Sequence, residues 1–507
     1  MSASPNLGNL STLAKHLPQF DQIRSVHIVG VCGTLMGSFA AYLKRKNIRV
    51  TGSDQNVYPP MSDVLSAAGV QLFNGYNAEN LLGMKERPDL VVIGNVISAG
   101  NPEARLAIDQ GYAYSSLPEA MEKLLLEDTR NLVVAGTHGK TTTSSMLAHV
   151  LVQAGEDPSY FIGGVSQDLP FSFHIGNSAP NRPFVLEGDE YDTAFWDKVP
   201  KFNHYLPNDV ILTSVEYDHA DIYPNIEAVI KAFEGLVKRI RPNGRLIACL
   251  DYDIVADLAK QAKVPVITYA VSSKKGARFT VGAHSVEATS NDNGMGHGIE
   301  NMTRFEVLEN GKKVEEIIMQ ASGLHNMSNA LGVWIQCREM GISSQKILSG
   351  LRSFRGVKRR QENRGEVKGV LVIDDFAHHP TAVRETLKAL KLRYPKRRIV
   401  AVFEPRSATS RRKVFQKDYG DAFCEGDATF IAVPYDQTKI ASDDQFSSDQ
   451  LVSDLVVKGR SAQLMPSVEE GVQQVSKFSR SGDLIAVLSN GGFGGFIPKL
   501  LEALKNS

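Results

Sequence analysis

Gly136-Thr137-His138-Gly139-Lys140-Thr141-Thr142-Thr143 stands directly after the apolar run LVVA and before a helix-forming stretch. Glycines there let backbone N–H groups approach oxygens, and the start of the following helix favours negative charge, so the segment reads as a phosphate-binding turn. Lys140 is placed to reach the β/γ-phosphates of a nucleotide and the Thr141 hydroxyl to hold Mg2+. The spacing departs from strict GxxxxGK[ST], because position 134 is valine. Two acidic clusters each close an apolar, strand-like run: LEGDEYD with Glu187, Asp189, Glu190 and Asp192, and VEYDHAD with Glu216, Asp218, His219 and Asp221. Carboxylates at the carboxyl ends of parallel strands lie on the ligand side of such sheets, and Mg2+ takes oxygen ligands and phosphates. Glu187 and one residue of the second cluster therefore qualify to share the cation with Thr141. On the residues alone His219 reads first as a hydrogen-bonded structural side chain, since a lone histidine on Mg2+ is unusual. DDFAHHPTA brings Asp374, Asp375, His378 and His379 to a third strand-to-helix loop, with Pro380 suited to the first helical turn. These side chains suit acid/base groups, phosphate donors or an N-cap cluster. Of the basic residues Arg359, Arg360, Arg406, Arg411 and Arg412, Arg406 stands apart because it directly follows the strand-like VFEP.

The elements that must position these groups alternate. VHIVG, the helix-like LMGSFAAYLKRK, RVTGSD and DLVVIGN give a first set of parallel βαβ units. The pattern restarts near Asn131 and again at GVLVIDD. Between them, about Ala277 to Met319, strand-like alternation carries an Asn310-Gly311 hairpin signal. The chain's 507 residues, at about 150 per domain, fit three α/β domains with breaks near 130 and 356. Residues 1–22 read as a loosely docked extension. In the first set, Gly30, Gly33 and Gly37 space a turn as GxxGxxxG, which differs from the dinucleotide GxGxxG. A plain Rossmann-like turn is an equal reading, and Asp54, after Ser53, falls near where such folds contact a ribose. Lys+Arg and Asp+Glu both number 56, so the charge balance points to neither nucleic acid nor a membrane surface. The four cysteines form no CxxC pair, no apolar run nears the roughly 20 residues of a bilayer span, and Met1 to Gln22 lacks the basic start and apolar centre expected of a signal peptide. A cytoplasmic protein is expected.

GTHGKTTT, LEGDEYD, VEYDHADIY, GLHNMSNA and DDFAHHPTA, in that order, resemble the Mur ligases over nearly the whole chain from about Ile23. The resemblance implies ATP-dependent joining of an amino acid or peptide to UDP-N-acetylmuramate by three domains. These are a Rossmann-like N-terminal domain for the UDP-substrate (23–130), a P-loop ATPase domain (131–356) and a Rossmann-like C-terminal domain for the amine (357–507). It implies ATP contacts from Gly136, Thr137, His138, Gly139, Lys140, Thr141 and Thr142, with Asn326 and Asn329 on the adenine side. UDP-substrate contacts fall to Gly30, Gly33, Gly37, Ser53 and Asp54. Mg2+ would be bound by Thr141, Glu187 and His219, which overturns the structural reading of His219. Lys140, Asp375 and His378 become the catalytic set, and Arg406 and Arg411 bind the peptide, Arg406 as a carboxylate-binding arginine. Several family members use a carbamylated lysine 15 positions after the metal histidine; here that position is Glu234.

Within the family, GVCGTLMG, SDQNVYPPMS, EPRSAT and SNGGFGGF resemble most the branch that attaches a ready-made murein tripeptide recovered from cell-wall turnover. Where this chain has DDFAHHPTA and EPRSATSRR, the L-alanine-adding relative typically reads DDYGHHPTE and QPHRYTRT, so that Phe376, Ala377, Ala382 and the second segment depart from it. The implied chemistry phosphorylates the lactoyl carboxylate, after which the amine displaces phosphate. Addition of free L-alanine is one alternative. A nucleotide-sensing protein without chemistry is another, against which Lys140, Thr141, Glu187, His219 and Asp375 weigh together.

Overall fold

Short runs of Val, Ile and Leu form the strands of three sheets, and each sheet delivers polar loops at its carboxyl edge. The computed structural model describes residues 17–55, 57, 61–177, 179–272, 276–290 and 299–506. Most of the expected 1–22 extension and four positions of SDQNVYPPMS (56 and 58–60) lie outside the described residues. The chain divides into two compact units. One is made of the chain up to Gly136 with Thr143–Val215 and Ile230–Thr268; the other is made of Thr137–Thr142, Glu216–Val229 and the chain from Tyr269 onward.

In the first unit, β1 (Ser25–Val29), β2 (Arg49–Asp54), β3 (Gln71–Asn74), β4 (Leu90–Ile93) and β5 (Tyr114–Ser116) form a parallel sheet in the order β3-β2-β1-β4-β5. The order reverses at β1, the switch point where such sheets bind ligands. Helix Thr34–Arg45 starts there and ends on Lys44 and Arg45, cations that suit a helix C-terminus. The same unit holds β6 (Arg130–Ala135), β7 (Ser159–Phe161), β8 (Phe173–His174), β9 (Pro183–Gly188), β10 (Asp209–Leu212) and β11 (Arg245–Cys249). They run β11-β10-β6-β9-β7-β8, parallel except for β8. Leu132–Ala135 and Val210 are fully covered, as expected of strands packed on both faces. At the amino edge Arg130 forks onto Asp209 at 2.9 Å.

In the second unit, the last residues of β12 (Val266–Ala270) pair with β13 (Phe279–Ser290), and β14 (Ile299–Glu309) and β15 (Lys312–Met319) continue antiparallel. Asn310 and Gly311 both take positive φ, 49° and 80°, and make the two-residue turn that their types foretell. The third sheet comprises β16 (Glu362–Val367), β17 (Val370–Asp375), β18 (Arg398–Phe403), β19 (Ala428–Ala432), β20 (Ser461–Met465) and β21 (Asp483–Leu488). Its order is β16-β17-β21-β18-β19-β20, and β16 alone is antiparallel. Along β18, Ile399, Ala401 and Phe403 enter one core while Val400 and Val402 enter the other. Both faces are thus covered, and only the strand ends are left for polar chemistry.

Candidate functional site

Gly136 carries φ 138°, and a Cβ there would stand 2.8 Å from the Ser214 backbone, so only glycine fits this corner. The turn then folds on itself: Lys140 Nζ donates to the Thr137 carbonyl at 3.2 Å, and helix Lys140–Gln153 begins at that lysine. Asn326 and Asn329, three apart on helix Leu324–Glu339, share a face; Asn329 Nδ2 donates to Asn326 Oδ1 at 3.3 Å. A Cβ at Gly139 would lie 2.7 Å from Asn329 Oδ1, so the expected adenine-side pair does stand beside the phosphate turn.

The loop after β10 closes around the same turn. Thr137 Oγ1 accepts from the Glu216 N–H at 2.9 Å and donates to the Glu216 carbonyl at 3.1 Å. The Glu216 carboxylate meets His138 Nε2 at 2.8 Å and accepts from Thr381 Oγ1 at 3.1 Å. Burial works to raise that carboxyl, but His138, His379 and Thr381 outweigh it and hold it below its ordinary range. Asp218 accepts from Thr409 Oγ1 at 2.6 Å and from the His219 N–H at 2.7 Å, and His378 Nε2 lies 3.7 Å from it. It is buried, which opposes ionisation, yet the neighbouring histidines keep it well below the usual carboxylate range. His219 itself sits at φ 56°, a left-handed conformation that non-glycine residues seldom take.

The two adjacent histidines separate in role. His379 accepts from the Thr381 N–H on Nδ1, as N-cap of helix Pro380–Arg393, and donates from Nε2 to the Tyr217 carbonyl at 3.1 Å. With both nitrogens engaged and its pKa pushed down to about 3, chiefly by burial and by nearby His138, it is a neutral fixed cap. That removes it as a proton acceptor. His378 donates from Nδ1 to the Phe376 carbonyl at 3.0 Å, which leaves Nε2 as its other face. Asp375 is buried and accepts from the Gln361 N–H and the Ala377 N–H, each at 2.8 Å, so it organises the loop that carries His378. Arg406 lies over the Tyr435 ring at 3.9 Å, with Nη1 on Glu404 at 3.3 Å. Arg411 donates to the carbonyls of Ser407, Tyr435 and Asp436 and so braces the backbone beside Arg406.

In the first unit, Glu187, next to last in β9, is buried and accepts from the Gly163 N–H at 2.7 Å. At the β1 switch point the Gly30 and Val31 N–H groups donate to the Ser53 carbonyl at 2.8 and 3.1 Å, and the Cys32 N–H donates to Asp54 Oδ2 at 2.9 Å. The turn that starts at Gly30 is therefore tied to Ser53 and Asp54 at the end of β2. Gly33 caps the following helix, and Gly37 packs where a Cβ would meet Met61. Beneath them lies a network that no motif marks: buried Glu103 accepts from His27 Nε2 at 3.0 Å, Asn77 N–H at 3.0 Å, Asn80 Nδ2 at 2.6 Å and the Ser53 hydroxyl. Thr381 stands in DDFAHHPTA with no spacing that marks it, and Tyr435 stands in no motif. The only sign of Thr409 was its place in EPRSATSRRK.

Mg2+ asks for oxygen donors, which the Thr141 hydroxyl and the Glu187 carboxylate supply by type. Among the described residues, one cluster of metal-ligating types is close enough to share an ion: His138, Glu216 and His379, with ligand atoms within 4.8 Å of one another. Two imidazoles and one carboxylate suit a softer ion than Mg2+, and the His379 nitrogens are already engaged. Glu234, at the position of the family's carbamylated lysine, faces Lys238 at 3.4 Å on helix Ile226–Lys238. Among the described residues no helix is long and apolar enough to cross a membrane.

Residues 25–129 match the Mur ligase family catalytic domain, 134–337 the Mur ligase middle domain, and 359–491 the Mur ligase glutamate ligase domain. A UDP-N-acetylmuramate–L-alanyl-γ-D-glutamyl-meso-2,6-diaminoheptandioate ligase of Escherichia coli is 37% identical, with 94% of this chain and 98% of that protein covered. A UDP-N-acetylmuramate–L-alanine ligase of Cyanothece is 32% identical over 94% of this chain and 95% of its own. The crystal structure of a murein peptide ligase from Psychrobacter arcticus superposes with a TM-score of 0.68 at 33% identity, covering 96% of this chain and 99% of that one.

Proposed function

The chain belongs to the Mur ligase family of ATP-dependent ligases, and on that premise we propose that it joins L-alanyl-γ-D-glutamyl-meso-diaminopimelate to UDP-N-acetylmuramate. The observation that carries the reading lies in the second unit. There hydrogen bonds through Glu216 and Asp218 join the phosphate turn to the loops bearing His378 and Arg406, and Asn329 of the Asn326–Asn329 pair packs against Gly139 of that turn. The three matched segments support the division at about 130 and 356. The substrates of this reading, ATP and a nucleotide-linked sugar, support a cytoplasmic setting.

A free carboxylate is a poor acyl donor, because its leaving group would be an oxide. In this reading a lactoyl carboxylate oxygen bonds to the γ-phosphorus while the bond to ADP breaks. The peptide's amine then bonds to the acyl carbon while phosphate leaves. Negative charge gathers on oxygens in both halves, and Lys140 and the backbone N–H groups of residues 136–141 oppose it. Thr141, Glu187 and His219 would hold Mg2+, which neutralises phosphate charge when bound. The attacking amine must shed a proton, and His378 Nε2, with His379 excluded, is the acceptor. Gly30, Ser53 and Asp54 receive the UDP moiety and Arg406 a carboxylate of the peptide.

ADP formation from ATP and UDP-N-acetylmuramate, with tripeptide, with L-alanine or with neither, tests this. Turnover with tripeptide alone is expected. Preference for L-alanine moves the chain to the other branch, and no turnover with either amine defeats the ligase reading.

A further inference from the structure

Three adjacent parallel strands of the third sheet, β21, β18 and β19, end side by side, and the segments leaving them meet at Arg406. Ser489–Gly491 leaves β21. Arg359 Nη2 donates to the Ser489 and Gly491 carbonyls at 2.6 and 2.7 Å, and Ser489 Oγ donates to Glu404 Oε2 at 2.5 Å, so the turn is held from two sides. Arg406 follows β18 and lies across Gly491: a Cβ built on that glycine would come within 2.8 Å of Arg406 Cζ and nearer still to Cδ and Nε. Tyr435 follows β19, covers the guanidinium with its ring at 3.9 Å, and is tied to the same loop by its N–H on the Pro405 carbonyl at 3.0 Å. The guanidinium therefore has a bare backbone on one side, an aromatic face on the other and Glu404 on Nη1, while its side chain stays 30% exposed. Stacking fixes the plane of an arginine and leaves its N–H edge to bind a planar carboxylate.

We propose that Gly491 and Tyr435 form a slot that presets Arg406 for a carboxylate of the incoming peptide, which makes both of them positioning residues for amine-substrate selection. The proposal rests on the ligase reading above. Gly491 is not at a left-handed φ, and the atoms its Cβ would meet are the far part of a flexible side chain. Gly491→Ala should accordingly move Arg406 and leave the turn folded.

The test is a cycle of Gly491→Ala, Arg406→Ala and the double variant, read as KM and kcat for each of the three substrates. Gly491→Ala should raise the tripeptide KM about tenfold, in line with losing a charge-assisted contact, with the KM values for ATP and UDP-N-acetylmuramate unchanged. In the Arg406→Ala background the same change should add less than twofold. Tyr435→Leu should raise the tripeptide KM about threefold, and Tyr435→Phe should restore it. An equal effect of Gly491→Ala with and without Arg406, or an unmoved tripeptide KM in an active enzyme, overturns the slot. A parent without turnover on either amine instead defeats the ligase reading.

Discussion

The two polar networks of this molecule are built from similar groups and differ in what surrounds them. Around Glu103 in the first unit, a histidine, two asparagines and a serine satisfy one buried carboxylate, and both His27 and Glu103 are fully covered. Around Glu216 and Asp218 in the second unit, histidines and threonines likewise meet carboxylates. There His138, Glu216 and His378 keep part of their side chains exposed, and His219 takes a left-handed backbone. The first arrangement can only hold its turn in place. The second holds loops together while leaving His138, His378 and Glu216 partly exposed to solvent.

Substitution should separate the two accordingly. The largest effect is expected from Lys140→Ala, at the phosphate turn: kcat should fall by at least about a thousandfold, roughly 4 kcal/mol, with an unchanged circular dichroism spectrum and melting midpoint. A well-folded variant with near-parent ADP production would remove the phosphate-turn assignment. Glu103→Ala should do the reverse. Losing a buried carboxylate strands His27, Asn80 and the Asn77 N–H, and about 3–5 kcal/mol of stability should disappear in denaturant unfolding. If instead stability holds and only the UDP-substrate KM moves, the network belongs to the site and not to the scaffold. Thr409→Val, which takes the hydroxyl from Asp218 and from the Ala220 N–H, should lower stability by about 1–3 kcal/mol and lower kcat with it.

The smallest expected effect concerns His204 in the first unit, which lies between Glu122 at 2.6 Å and Asp197 at 2.7 Å. Burial works against its charge, yet the two carboxylates push its pKa up to about 9. A histidine raised in the folded state contributes fully below its unfolded value of about 6.5 and loses that contribution as pH rises through its folded value. The melting midpoint should fall between about pH 6.5 and 9 and then level off. His204→Gln should flatten that segment of the profile; a parent midpoint that rises across it would contradict the carboxylate pairing.

The strands built of continuous Val, Ile and Leu, such as Leu132–Ala135 and Ile399–Phe403, were legible, as were the Asn310-Gly311 turn and the strand-end loops bearing GTHGKTTT, VEYDHAD and DDFAHHPTA. Short or polar strands were not. Gln71–Asn74 and Phe173–His174 carry too few residues for a period, and Glu362–Val367 is a half-exposed edge whose charged residues and glycine show no apolar alternation. Within the site, residue types gave the clusters but not their pairing. Thr409 meets Asp218 across 191 residues, and no local spacing constrains a contact of that separation. The cap role of His379 was one of three open readings, and its two hydrogen bonds decide it.

Thr137, inside the phosphate turn, exchanges hydrogen bonds with the backbone of Glu216, whose side chain holds Thr381 at the head of the helix that follows His378. Any ligand that favours this setting of the turn also favours the setting of that helix. Thermodynamic linkage makes the relation symmetric: the factor by which nucleotide tightens peptide must equal the factor by which peptide tightens nucleotide. On the proposed reading, a threonine hydroxyl and one glutamate would make the two binding events a single coupled equilibrium, whose strength Glu216→Gln would reduce equally in both directions.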